Sequence, residues 1–150
     1  MTHGIWLSLD ELIAQREARR ARDRAEDEKA RLRKEEEARK YAEAFEAYAL
    51  TPADKDTIMQ RIASAFARGE KELMLFSFPS DLCTDAGRRL NNGVEGWEAT
   101  LPGAARRVFE FWRDDLRPRG FRFFARVISY PDGMPGDVGV FFSWPKELEE

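Results

Sequence analysis

The hydrophobic and polar positions divide the chain into two halves with different patterns. From Ser8 to Leu50 apolar residues are sparse, and the sequence is dominated by Ala, Arg, Glu and Lys, which all favour helix. Ser8 with Glu11 three residues later is a capping box, which marks a helix start. We therefore predict one long helix over residues 8–50, about 65 Å long at 1.5 Å per residue.

Helical spacing predicts three further helices in the second half. Apolar residues recur at this spacing between Asp54 and Arg68, with Gly69 as a C-cap, and again after Pro102. A short helix is predicted over residues 84–91, capped by Thr84 or Ser80. The apolar faces of the two longer helices consist of Ile58, Ile62, Ala65 and Phe66 in the first, and of Val108, Phe109, Trp112 and Leu116 in the second.

Three apolar runs in the second half predict strands. Leu73–Phe78 reads as a strand buried on both faces, while Phe121–Tyr130 and Val138–Trp144 form a hairpin around the turn at 131–136. The order of helix, strand, two helices and hairpin predicts an α+β domain, whose small, mostly antiparallel three-stranded sheet is covered by helices. The inward face of the last strand is then formed by Val138, Val140, Phe142 and Trp144.

The composition changes sharply at Leu50–Pro52. All seven Pro and nine of the ten Gly lie at or after Pro52, and fourteen of the eighteen aromatic residues lie after position 51. A break of this kind marks a domain boundary. We expect an extended, charged helical arm over residues 1–50 and a globular α+β domain over residues 51–150.

The middle of the predicted arm is almost entirely charged. Residues 16–40 contain 19 charged residues, five Ala and Leu32. A heptad seam that begins with alanines continues into Glu28, Glu35 and Arg39, and charged residues at these positions disfavour a strong coiled coil. Three interpretations fit this pattern: a solvated helix, which we favour, a weak coiled coil, and a disordered segment.

Both ends of the arm carry apolar side chains. Tyr41, Phe45 and Tyr48 lie at helical spacing near its C-terminal end, and we expect them to pack on the globular domain. The apolar residues at the N-terminal end form a dense cluster, and an exposed group of Trp, Leu and Ile marks a contact surface. We expect the cluster to bind another protein chain or a second copy, unless the arm folds back. The predicted partner-binding residues are Ile5, Trp6, Leu9, Leu12 and Ile13.

Cys83 and Arg89 form the one motif that suggests catalysis. Arg89 is six positions after the cysteine, behind a predicted strand and at the start of a predicted helix. This spacing resembles the phosphate-binding loop of cysteine-dependent phosphatases, which implies a thiolate nucleophile and an arginine that binds phosphate. The sequence departs from that loop, since Asp85 lies inside it and Cys83 does not directly follow the strand. A buried structural cysteine is the interpretation that we favour.

Arginine is concentrated in the second half of the globular domain. Residues 86–126 contain nine Arg and five acidic residues but no Lys, and aromatic residues lie among the arginines. Arginine beside aromatic side chains suits contacts with phosphates and bases, although most of these residues are expected to form ordinary surface ion pairs. The candidates for nucleic-acid or anion binding are Arg106, Arg107, Arg113, Arg117, Arg119, Arg122 and Arg126.

The overall composition narrows the classes of function. One Cys and one His exclude a disulfide framework and the common zinc motifs, and no apolar run approaches the ~18 residues of a membrane span. A formal net charge of -3 does not favour a general polyanion binder. We expect a cytoplasmic, non-enzymatic interaction or assembly protein without metal, cofactor or membrane contact. An arginine-based nucleic-acid binder and a Cys83-dependent enzyme are the alternatives.

Overall fold

The computed structural model describes Gly4 and residues 6–145. Its contacts divide the chain into two compact units, Met1–Tyr41 and Ala42–Glu150. The fold is α+β, as predicted from the sequence. In chain order the elements are α1 (Leu9–Ala47), α2 (Pro52–Ala67), β1 (Glu72–Pro79), α3 (Arg88–Asn91), α4 (Gly103–Phe111), β2 (Arg122–Val127) and β3 (Asp137–Ser143).

The part of helix α1 that lies in the first unit is exposed to water. The Ser8 hydroxyl accepts a hydrogen bond from the Glu11 backbone N–H at 3.1 Å, so the predicted N-cap is confirmed. Every described residue up to Tyr41 is exposed, and the charged side chains pair along the helix, as Arg31 does with Glu28 and Glu35. Such exposed pairs contribute only about 0.2–0.5 kcal/mol each. The helix ends at Ala47, three residues before its predicted end.

The second unit is built on a three-stranded antiparallel sheet with the order β1-β3-β2. Val138 in the central strand lies opposite Phe78 on one side and Val127 on the other. Helices α2 and α4 pack on this face of the sheet, and Ile62, Val108 and Leu116 are almost fully buried there. The predicted inward face of the last strand is confirmed, because Val138, Val140, Phe142 and Trp144 are all buried.

The second face of the sheet is open, which corrects the prediction for β1, and one residue of α2 also differs from its prediction. Met74 is 44% exposed and Ser77 is exposed, so β1 is not buried on both faces. A bulge at Leu75 turns this residue into the core, a local irregularity that regular alternation does not show. Phe66, predicted to lie in the core, is half exposed and contacts the Trp144 ring from the side.

Two predicted elements are shorter than expected, for local backbone reasons. The helix predicted over residues 84–91 is reduced to α3, because Ala86 and Gly87 both adopt left-handed backbone conformations (φ 58° and 82°) that interrupt a helix. Neither Thr84 nor Ser80 caps it, since its N-cap is Gly87. The strand predicted to reach Tyr130 ends at Val127, where the chain enters the turn before β3.

The last turn of α1 belongs to the second unit by its contacts. The Phe45 ring lies 5.2 Å from the Phe78 ring and 6.0 Å from the Phe76 ring, between centroids. Its predicted packing on the globular domain is therefore confirmed. Tyr48 is half exposed, and its hydroxyl donates to the Asp54 carboxylate at 2.9 Å. The Tyr41 side chain is also half exposed.

Candidate functional site

The first candidate site is an exposed apolar cluster at the start of α1. Trp6 is 93% exposed and Leu9 is 71% exposed, which leaves a large apolar area in water. Leu9, Leu12 and Ile13 follow the i, i+3, i+4 spacing that places them on one face of the helix. We refer to Trp6, Leu7, Leu9, Leu12 and Ile13 as the N-terminal apolar segment; Ile5, which was also predicted to bind a partner, lies outside the described residues.

Charged residues of both signs border the N-terminal apolar segment. Asp10 and Glu11 lie in the first turn of α1, between the apolar positions. Arg16 and Arg20 follow on the same helix face as Leu9, and both lie near the Glu17 carboxylate, at 3.7 Å and 3.5 Å. The segment therefore passes from an acidic first turn into a basic stretch.

The second candidate, the Cys83 loop, does not form a phosphate-binding site. Cys83 is only 4% exposed, and burial, followed by the charges of Asp85 and Asp81, raises the pKa of its thiol to about 11. The Asp85 carboxylate accepts hydrogen bonds from the backbone N–H groups of Gly87 and Arg89, at 3.1 Å and 3.0 Å. These N–H groups are the donors that a phosphate would use, and an acid already occupies them. The geometry thus favours the structural cysteine.

The seven candidate arginines are distributed over several surfaces, and five of them make contacts around α4. Arg106, Arg107 and Arg119 each donate to a backbone carbonyl: that of Ala99, of Glu46 and of Asp115, respectively. Arg113 pairs with Asp114 at 2.9 Å and lies over the Phe109 ring, while Arg117 lies over the Trp112 ring. These contacts stabilise the region around α4, as ordinary surface arginines do.

The other two arginines lie on the open face of the sheet. Arg122 and Arg126 flank Phe124 on β2, and all three side chains point to the same face because alternate residues of a strand do so. Phe124 is directly opposite Phe141, with parallel rings 4.8 Å apart between centroids. We define the open sheet face by the residues that the register places there: Glu72, Met74, Ser77, Pro79, Arg122, Phe124, Arg126, Asp137, Gly139, Phe141 and Ser143.

Arg126 covers the Phe141 ring. Its guanidinium carbon lies 4.3 Å from the ring centroid, and its terminal nitrogen reaches the Glu72 carboxylate at 3.8 Å. Phe141 is only 4% exposed beneath this guanidinium, while Phe124 is partly exposed. A Cβ at Gly139 would lie 2.7 Å from the Phe141 ring, so glycine at this position leaves room for the ring. Neither Phe141 nor Glu72 was among the predicted site residues, and the one signal for Phe141 was strand alternation, which puts it on the face opposite Val140 and Phe142.

An apolar groove of about 490 Å³ lies beside the last turn of α1. It contains no nucleophile and no histidine, and its lining consists of Ala42, Glu43, Phe45, Glu46, Ala47, Leu82 and Pro102. Over the described part of the chain, no group of three or more His, Cys, Asp or Glu residues is arranged to hold a metal ion. None of the helices in that part combines the length and the apolar character needed to cross a membrane.

Comparison of the chain with protein-family models, with curated proteins and with solved structures finds no match. The N-terminal apolar segment and the open sheet face are the two surfaces of the described residues that suggest a function.

Proposed function

We propose that this chain is a non-enzymatic assembly module, in which the N-terminal apolar segments of two copies pack against each other. The observation that carries the proposal is the exposure of Trp6 and Leu9 together with Leu12 and Ile13. A contiguous apolar patch of this kind is typical of a protein–protein contact. Burying one such leucine contributes about 1.5–3 kcal/mol, so a few of them supply a useful affinity.

The charges around the segment favour a second copy as the partner. In an antiparallel pair of segments that cross near Ile13, Asp10 of one copy faces the region of Arg16 in the other. The acidic first turn of each copy thus lies against the basic stretch of the other, because the two-fold symmetry of the pair repeats the contact. Complementary charge fixes orientation and register, while the apolar contact supplies the affinity.

The apolar contact is proposed for the start of α1 rather than for its whole length. Leu32 is 51% exposed, but charged residues surround it in the sequence and no other large apolar side chain lies between Ile13 and Tyr41. A coiled coil needs apolar residues at successive a and d positions, which this stretch lacks. Leu32 therefore serves as an internal control for the proposal.

Sedimentation velocity over a range of concentrations tests the proposal on the full chain. Leu9→Glu should weaken self-association at least tenfold, because the loss of one buried leucine is worth about 1.5 kcal/mol or more. Leu32→Glu makes the same chemical change on an exposed leucine of the same helix, and it should leave the association constant unchanged. Circular dichroism of both variants establishes that the helix is intact.

Three outcomes would overturn the proposal. A wild-type chain that stays monomeric at every concentration up to the millimolar range has no self-association to explain. If Leu9→Glu and Leu32→Glu weaken self-association equally, the contact extends along the whole helix as a coiled coil. A monomeric chain that instead captures a different protein through the same segment would also refute the second copy as partner.

A further inference from the structure

The open sheet face combines two arginine side chains with a pair of stacked aromatic rings. We propose that this face binds single-stranded nucleic acid, as a second surface whose residues differ from those of the proposed self-association. One face of the sheet is packed on helices, while the other presents Arg122, Phe124 and Arg126 side by side on one strand. Aromatic side chains and guanidinium planes on an exposed surface are the groups on which unpaired bases stack.

The stacking element is a set of three flat groups. Phe124 lies parallel to Phe141, with an interplanar angle of 1°, and the Arg126 guanidinium lies over Phe141 at 4.3 Å. The contact with the Phe141 ring itself positions the Arg126 guanidinium before a ligand arrives, since its 3.8 Å pair with Glu72 is exposed and contributes little. Preorganised groups lose less conformational entropy on binding than mobile ones.

The two arginines of the open sheet face can contact a phosphate backbone. Arg122 and Arg126 are both exposed and lie four residues apart, which corresponds to about 13 Å along a strand. The register places two acidic side chains on the same face, Glu72 opposite Ser143 and the exposed Asp137 opposite Pro79, so any attraction for phosphate comes from the two guanidinium groups rather than from a net positive charge. An acidic peptide would pair with the same arginines, but it would leave the Phe124 ring without a matching group. The aromatic pair therefore decides in favour of nucleic acid.

Fluorescence anisotropy with labelled single strands of twelve thymidines or twelve uridines tests the proposal on the full chain. We expect saturable binding of the single strands and weaker binding of a duplex of equal length, whose bases are not free to stack. Two phosphate contacts predict that affinity falls about sevenfold between 50 and 200 mM salt. An anisotropy that does not change at 100 µM protein would overturn the proposal.

Variants of the open sheet face locate the binding. Phe124→Leu keeps the apolar volume but removes the ring, and it should weaken binding at least about fivefold. Arg122→Gln with Arg126→Gln should abolish most of the affinity and flatten the salt dependence. The matched control is Arg113→Gln with Arg117→Gln, which makes the same charge change at the other arginine–aromatic cluster and should have little effect.

Glu72→Gln should change the binding affinity in the opposite direction. It removes a negative charge 3.8 Å from Arg126, so it should strengthen binding at low salt by about two- to fivefold. Binding that is insensitive to Phe124→Leu, or that is lost equally in the control pair, would show that the site is elsewhere. Preferential binding of a poly-glutamate peptide would assign the face to an acidic protein partner instead, and would also overturn the proposal.

Discussion

Gly103, at the start of α4, lies directly against the backbone of Glu46 in the last turn of α1. A Cβ on Gly103 would be 2.4 Å from the Glu46 Cα atom and 2.3 Å from the Phe45 carbonyl oxygen. One helical turn later, the Arg107 guanidinium donates to the Glu46 carbonyl at 2.7 Å. This close approach of two backbones, together with the packing of Phe45, makes the last turn of α1 part of the core of the second unit.

Gly103→Ala should destabilise the protein by about 2–4 kcal/mol, because the added methyl group meets backbone atoms that have no room to move. Gly69→Ala is the control: Gly69 also has a positive φ, of 80°, but nothing lies within 4 Å of its added Cβ. It should cost only about 1 kcal/mol of backbone strain. Urea unfolding of both variants measures the difference, and equal midpoints would show that the contact is absent.

The ionised Asp54 carboxylate should stabilise the folded state, and this contribution should be lost at acid pH. It accepts hydrogen bonds from the Thr51 backbone N–H at 3.0 Å and from the Tyr48 hydroxyl at 2.9 Å, and these two interactions lower the pKa of its carboxyl group. A lowered pKa in the folded state gives stability that is present above about pH 4 and is lost as the pH falls through the folded value.

Asp54→Asn should therefore be less stable than wild type at pH 6, and this difference should shrink towards pH 2.5. Urea unfolding at several pH values measures it, and Tyr48→Phe should reproduce part of the effect because it removes one of the two donors. A difference between wild type and Asp54→Asn that stays constant from pH 6 to pH 2.5 would contradict this assignment.

Cys83 should react slowly with iodoacetamide at neutral pH. Its thiol is buried and has a pKa of about 11, so the thiolate that reacts is scarce below pH 9. Since the folded pKa exceeds the ordinary value of about 8.5, the free energy of unfolding should fall as the pH rises from about 9 to 11. Labelling followed by mass spectrometry, with Cys83→Ser as the blank, checks the rate. A rate at pH 7.5 equal to that of free cysteine would revive the catalytic interpretation.

Hydrophobic periodicity predicted those helices and strands in which buried and exposed side chains recur at regular spacing. The spacing of Ile58, Ile62 and Ala65 gave the buried face of α2, and the alternation of Val138 with Val140 gave the buried face of β3. The charged composition gave α1, because few other structures accommodate so many charges without burying them. The fold class followed from the order of these elements.

The remaining features depend on contacts between residues distant in sequence, or on single backbone angles. The left-handed conformation of Ala86 shortened α3, and alanine carries no signal for it. The bulge at Leu75 and the open second face of the sheet became visible only with the strand register. The stack of Arg126 on Phe141 joins β2 to β3, so the composition near Arg126 alone did not reveal its partner.

The absolute mass of the protein in solution decides whether the N-terminal apolar segment mediates self-association. Light scattering should give the full chain a weight-average mass that rises with concentration towards twice the mass of one chain. A chain lacking residues 1–15 should have the mass of one chain throughout, with an unchanged thermal unfolding transition, because the core of the second unit does not include them. If both chains give the same mass at every concentration, the segment does not mediate assembly.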